Sequence, residues 1–232
     1  MKRILVILAA AAALVLNTPV LAKDTLVVDN VQEPATLDPH RQWNPDSYTV
    51  YRNIYDNLIT RDVSGTIVPQ VATKWNVVSD TQVDFTLRDD IVFHDGKPLT
   101  AEDVVYSVKR ITNPEFKSPQ LGQFSKISGA EATGPHSVRL TTNGPYPVLL
   151  AQLVKLSIVS KVYAESVGDE ELNLKPMGSG PYKFVEWRKG VKVVLERNDD
   201  YWRGKPPFAS VEFAAVPDAA TRIADLRTGK AD

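Results

Sequence analysis

Between residues 182 and 195 the chain carries two runs in which apolar and polar residues alternate: Tyr182 and Phe184 before Arg188-Lys189-Gly190, then Val191, Val193 and Leu195 after it. Period-two alternation sends one face of a strand into a core, and a glycine turn between two such runs makes a hairpin. That hairpin must share the chain with helices, because other segments repeat at three- and four-residue steps. Tyr48, Tyr51, Ile54, Tyr55 and Leu58 fall on one helical face, with Asp46 or Ser47 as cap and the tyrosines read as core packing. Thr100-Ala101-Glu102-Asp103 has the form of a capping box with Asp in the Glu position, opening a helix whose buried stripe is Val104, Val105, Val108 and Ile111. Hairpins and helices together imply an α/β or α+β protein built in more than one layer.

The rest of the chain fits that class. Thr25-Leu26-Val27-Val28 reads as a buried strand, and Asp29 to Pro39, with two prolines, as an irregular segment. Val83, Phe85 and Leu87 alternate, Ile91 and Phe93 do so again, and His94-Asp95-Gly96 ends this hairpin-like pair. Asn113 to Gly134 has little periodicity and predicts loops. Ser137 to Thr141 predicts a strand, Pro147 to Leu156 an apolar helix and Val162 to Val167 a short surface helix. Gly178-Ser179-Gly180-Pro181 predicts a tight polar joint, Val211, Phe213 and Ala215 another strand, and Ala219, Ile223 and Leu226 a final helix stopped by Gly229.

The first 22 residues differ from the rest. Lys2 and Arg3 precede an unbroken apolar run from Ile4 to Leu16, and Val20-Leu21-Ala22 precedes Lys23-Asp24, the layout of a secretory signal peptide cleaved after Ala22. As a helix the apolar run would span ~20 Å, short of the roughly 30 Å hydrocarbon core of a bilayer. Lys and Arg total 27 against 28 Asp and Glu, so no positive excess exists to hold a nucleic acid. The sequence has no Cys, which removes disulfides, a lipid-anchored Cys and a thiol nucleophile; a mature domain of about 210 residues can be stable without them. Export without Cys suits a soluble periplasmic protein.

Catalytic and metal chemistry finds little support. His40, His94 and His136 lie far apart in sequence and form no metal-ligand spacing. Ser179 lies in Gly-Ser-Gly, not in the Gly-x-Ser-x-Gly of a nucleophile elbow, and a β run follows it. No glycine-rich phosphate loop occurs. Asp89-Asp90 and Asp199-Asp200 read as solvated turns. Glu33 stands apart, because it follows the first strand, where a crevice at a sheet end forms; either it is a surface carboxylate or its loop meets the charged or amide end of a solute.

Several blocks carry a family resemblance: Leu37-Asp38-Pro39, Ile54-Tyr55-Asp56-Asn57-Leu58, Val68-Pro69-Gln70-Val71-Ala72-Thr73-Lys74-Trp75, Phe85-Thr86-Leu87-Arg88 and the run from Phe93 to Val104. Gly178-Ser179-Gly180-Pro181-Tyr182, Glu196-Arg197-Asn198-Asp199-Asp200-Tyr201-Trp202 and Leu226-Arg227-Thr228-Gly229-Lys230-Ala231-Asp232 complete the series. In this order, behind an export signal, the chain resembles the extracellular solute-binding proteins of family 5, which serve ABC importers of dipeptides, oligopeptides, glutathione and nickel. The Phe93 to Val104 run is better explained as a turn and helix cap than as a ligand contact.

The resemblance implies an α/β, periplasmic binding protein-like II fold: two hinged lobes enclosing the ligand, of which this sequence would supply only the N-terminal lobe. Residues 23–45 with 171–232 would form lobe I, residues 46–170 an inserted subdomain, and the second lobe would be missing from this sequence. It further implies a monomeric periplasmic component without catalytic residues, cofactor or metal, partnered by a peptide or related small solute and by the permease subunits of the inner membrane. The ligand would be clamped by main-chain bonds to Val31, Gln32 and Glu33, a form of strand addition. With half the cleft absent, these residues alone would fold poorly or bind weakly. The other readings are a secreted hydrolase using Ser179 and a periplasmic chaperone or signalling module.

Overall fold

A computed structural model describes residues 23–232; the expected leader and its cleavage site lie outside them. β1 (Thr25–Asn30) leads through an irregular segment to α1 (Pro45–Tyr51) and a short hairpin, β2 (Ile59–Arg61) and β3 (Ile67–Pro69). β4 (Ala72–Ser79), β5 (Gln82–Leu87) and α2 (Ala101–Thr112) follow, then a 3-10 turn at Pro114–Phe116, α3 (Leu121–Phe124), β6 (Ile127–Gly134) and β7 (Ser137–Thr142). After α4 (Leu149–Leu153) and α5 (Lys161–Leu174) come β8 (Tyr182–Arg188), β9 (Lys192–Arg197), β10 (Ser210–Ala215) and α6 (Ala219–Thr228).

Two four-stranded sheets organise these elements. The first has the order β1-β10-β9-β8, with β1 and β10 parallel and the other pairs antiparallel. The second, β4-β5-β7-β6, is antiparallel throughout. Because β1 and β10 are neighbours, everything from α1 to β9 lies inside the crossover between them, and the second sheet is an excursion within it.

Alternation decides which side chains are buried. Val83, Phe85 and Leu87 of β5 and Val138 and Leu140 of β7 point into a core that also takes Val104, Val105, Val108 and Ile111 of α2. On the opposite face Asp84 and Arg139 are cross-strand partners, joined by two 2.8 Å hydrogen bonds. A second core gathers Val193 and Leu195 of β9, Val211 and Phe213 of β10, Tyr51 and Tyr55, and Ala164 and Leu172 of α5. Tyr51 and Tyr55 are therefore packing residues, as their spacing predicts; Tyr48 is half-buried at the margin.

The capping box forms at α2: the Asp103 carboxylate accepts the Thr100 amide at 2.9 Å. Its other oxygen accepts the Lys161 amide at 2.9 Å, so one buried acid caps two helix starts, those of α2 and α5.

Five expectations need correction. The first helix, capped by Asn44, stops at Tyr51 and does not reach Leu58. Its continuation would need the carbonyls of Asn53 and Ile54, which instead accept the amides of Tyr182 (2.9 Å) and Gly180 (2.8 Å). Ile91 and Phe93 form no paired strand: Gly96, at φ 83, closes a loop in which Phe93 bonds Lys97 and Leu99 bonds Ile91. The apolar helix expected over Pro147 to Leu156 is only Leu149–Leu153. Residues 113–134 hold β6 and two short helical turns, because β6 is built of small residues around Ile127 and Ala130 and lacks an alternating signature. α5 extends past Val167, broken at Gly168 (φ 77), and α6 forms as expected yet leaves Ile223 and Leu226 exposed.

The Gly178-Ser179-Gly180-Pro181 joint presses against the Asn53-Ile54 backbone between the cores. A Cβ on Gly180 would lie 2.7 Å from the Ile54 carbonyl carbon and 2.8 Å from the Asn53 oxygen, and one on Gly178 would collide with the Ile54 oxygen. Gly180→Ala is expected to lower unfolding free energy by about 2 kcal/mol or more, as overpacked backbone contacts do. Gly122→Ala, which meets open space, should change it by less than about 0.5 kcal/mol. Equal effects in urea melts would contradict the packing described.

Both structurally engaged histidines are neutral by geometry. His40 Nε2 donates to the Ser157 carbonyl (2.9 Å) while Nδ1 accepts from Arg110 (3.2 Å); His94 Nε2 donates to the Gly180 carbonyl (3.0 Å) while Nδ1 faces the Gly178 amide (3.4 Å). Burial first, then Arg110, pushes His40 from 6.5 down to about 4, and burial does the same to His94, also about 4. Between pH 6.5 and 4 the unfolded chain binds protons that the folded one refuses, so stability falls as pH drops through that window, by up to about 3 kcal/mol for His40 and less for the incompletely buried His94. His40→Gln should start less stable at pH 7 but lose less on acidification; denaturation curves at pH 7, 6 and 5 that shift in parallel with wild type would refute this.

Candidate functional site

β1 pairs with β10 as far as Asn30, whose carbonyl accepts the Val216 amide at 2.8 Å. The chain then leaves the sheet as Val31-Gln32-Glu33, with Val31 47% exposed, Gln32 exposed and Glu33 half-buried. Among the described residues, the main-chain N–H and C=O groups of these three make no hydrogen bond. Two residues on, the Ala35 amide is tied to the Ser47 hydroxyl at 3.0 Å, and the Leu37 amide to Asn173 at 3.0 Å. The segment is thus a bent, irregular stretch beyond the strand, fixed at both ends and offering free backbone donors and acceptors between them.

The Glu33 side chain is engaged. Its Oε2 accepts the Trp187 indole N–H (3.1 Å) and the Gly190 amide (2.9 Å), both from the β8–β9 hairpin that the sequence predicts. The Lys189 ammonium stands 2.9 Å from the centre of the Trp187 ring. Burial pushes Lys189 below the usual lysine range, and the Glu33 charge opposes that. Neither Trp187 nor Gly190 carries a sequence signal of its own beyond the turn; their meeting with Glu33 spans more than 150 residues and depends on the β1/β10 pairing.

Beside Gly190 opens a concavity of about 450 Å³ lined in part by Val27, Asp29, Arg188, Lys192, Glu212 and Lys230. In its wall Asp29 Oδ2 is buried without a hydrogen-bond partner, and burial, then the neighbouring Asp225, raises the Asp29 carboxyl above the usual carboxylate range.

The remaining polar candidates are structural. Asp56, 0% exposed, accepts Gln70 Nε2 and Tyr201 OH on one oxygen (2.8 Å each) and Ser179 OH and Trp202 Nε1 on the other (3.0 Å each). Burial raises its pKa and these four donors pull it back in part. Ser179 is therefore a buried donor to a carboxylate, 1% exposed, and among the described residues no histidine accepts its proton. Asp38 and Arg110 form a buried bidentate pair (2.9 and 2.6 Å) that Asp169 extends. Among the described residues no group of three or more His, Asp or Glu could hold a metal ion, and no helix is long and apolar enough to cross a membrane.

Comparisons with known proteins meet this geometry. A model of the bacterial extracellular solute-binding proteins, family 5 Middle, matches residues 66–232. The periplasmic oligopeptide-binding protein OppA of Salmonella typhimurium is 30% identical over 97% of this chain and 46% of its own length. The NikZ structure from Campylobacter jejuni in complex with Ni(L-His) aligns with TM-score 0.85 at 30% identity, covering 91% of this chain and 43% of that one. DppA of Helicobacter pylori in complex with the peptide STSA aligns with TM-score 0.81 at 32% identity, covering 89% of this chain and 45% of that one. The chain spans about half the length of the curated relatives it matches, and its two sheets with their helices correspond to part of a lobed periplasmic binding protein fold. Over most of its residues, in sequence and in structure, the chain belongs to the bacterial extracellular solute-binding proteins of family 5.

Proposed function

We propose that this chain is part of the periplasmic substrate-binding component of an ABC importer, a non-catalytic protein that captures a di- or oligopeptide, or a related small solute, and delivers it to the membrane permease. The observation that carries this is the Val31-Gln32-Glu33 segment, with its main chain unpartnered at an exposed strand end. An extended peptide can add to such a segment as a strand does, each main-chain hydrogen bond contributing about 1 kcal/mol regardless of side chain. Relatives whose structures contain a peptide and a nickel–histidine complex support a small, polar solute class.

In the proposed protein, residues 23–45 with 171–232 form lobe I, residues 46–170 are the inserted subdomain, and the ligand is enclosed against a second lobe. Ligand touching both lobes favours the closed arrangement by its differential affinity, and closure is what the permease subunits recognise. The leader directs export and is removed after Ala22, leaving a monomer in the periplasm that needs no cofactor. The hydrolase alternative lacks a reachable nucleophile, since the Ser179 hydroxyl is buried on Asp56.

Calorimetric titration of the full-length protein with tri- to pentapeptides is expected to give micromolar or tighter binding. Gln32→Pro, which removes a main-chain N–H, should weaken it about tenfold or more, while Gln32→Ala stays within about threefold. Absence of heat with every peptide, or equal loss in both variants, would overturn main-chain peptide capture.

A further inference from the structure

We propose that the β8–β9 turn shapes the ligand-docking segment, with the Trp187 indole and the Gly190 amide acting as positioning groups through Glu33. This rests on reading Val31 to Glu33 as the docking strand, and it gives the Glu33 side chain a different task from its backbone. One oxygen of Glu33 collects two donors from the hairpin, at 3.1 and 2.9 Å, so the side chain works as a tether. Hydrogen bonds to an ionised acceptor are roughly twice as strong as neutral ones, which suits a tether on an otherwise free stretch of chain.

The hairpin is built to present those donors. Trp187 lies opposite Val193 in the β8/β9 register, so its indole is carried by a paired strand and not by a loop. Gly190 has φ 71, a left-handed conformation in which a side chain would be strained, and Val191 closes the turn onto Arg188 at 2.9 Å. Lys189 packs its ammonium on the Trp187 ring and places a positive charge beside Glu33. The docking segment is then held at three points: Asn30 by Val216, Glu33 by the hairpin and Ala35 by Ser47. Between those points the main-chain groups are free but not free to wander, so less ordering remains to be done when a ligand arrives.

The test uses the full-length protein and three variants. Trp187→Phe keeps a ring but loses the N–H, Glu33→Ala loses the acceptor, and Glu33→Gln keeps an acceptor oxygen. Backbone ¹⁵N order parameters at Val31 and Gln32 are expected near ~0.85 in wild type and E33Q, and below about 0.6 in W187F and E33A, with β9 unchanged. Tetra-alanine affinity should fall about tenfold in W187F and E33A and recover in E33Q. Unaltered order parameters in both W187F and E33A would overturn the proposal, as would unaltered tetra-alanine affinity in a loosened segment. If the segment loosens as expected but wild type binds neither tetra-alanine nor other peptides, the tether stands and the docking-strand reading falls.

Discussion

Asp56 lies at 0% exposure with four hydrogen-bond donors around its carboxylate and, among the described residues, no cation within salt-bridge distance. A buried charge held only by neutral donors is tolerable when every lone pair is used, and expensive when one donor is lost. Its four donors come from three places: Gln70 before β4, Ser179 in the joint, and Tyr201 and Trp202 beyond β9. Arg88 and Arg203 lie over the Trp202 ring, at 4.3 and 4.6 Å from its centre, bringing positive charge to the network through the aromatic side chain. This one carboxylate, with the glycines packed on Ile54, ties together segments that flank both sheets.

The same geometry explains why so many separate sequence blocks mark the family. Asp56, Gln70, Ser179 and Trp202 belong to four of them, and in space they are one cluster. His94, from the Phe93 to Val104 run, reaches the same joint by donating to the Gly180 carbonyl. These blocks build the framework from which the Val31-Gln32-Glu33 segment projects, and none of them contains that segment.

Local pattern made some elements legible and left others hidden. β5, β7, β9 and β10 are half-buried strands, so their alternation is visible residue by residue; the α2 cap and the β8–β9 hairpin are written in short-range turn and capping chemistry. β4 is an edge strand with most side chains exposed, and β6 is made of small residues, so neither has a period to read. The early end of α1 is set by hydrogen bonds to Gly180 and Tyr182, more than 100 residues away. At the candidate site, Val31, Gln32 and Glu33 came from family resemblance and from their place after the first strand. Trp187 and Gly190 were out of reach, because nothing local to either predicts a partner across the sheet.

The parallel pairing of β1 with β10 has a consequence for the order in which the molecule assembles. Thr25 and Ser210 meet across 185 residues, and closing an unstructured loop of that length carries an entropy penalty of roughly 5 kcal/mol before any contact is gained. The antiparallel second sheet and the β8–β9 hairpin close over short distances, so topology favours their forming early, with β1 docking late onto a scaffold whose ends have already been drawn together. β1 is thereby the last part of the first sheet to find its place, and the geometry of the Val31-Gln32-Glu33 segment that follows it inherits whatever accuracy the rest has achieved.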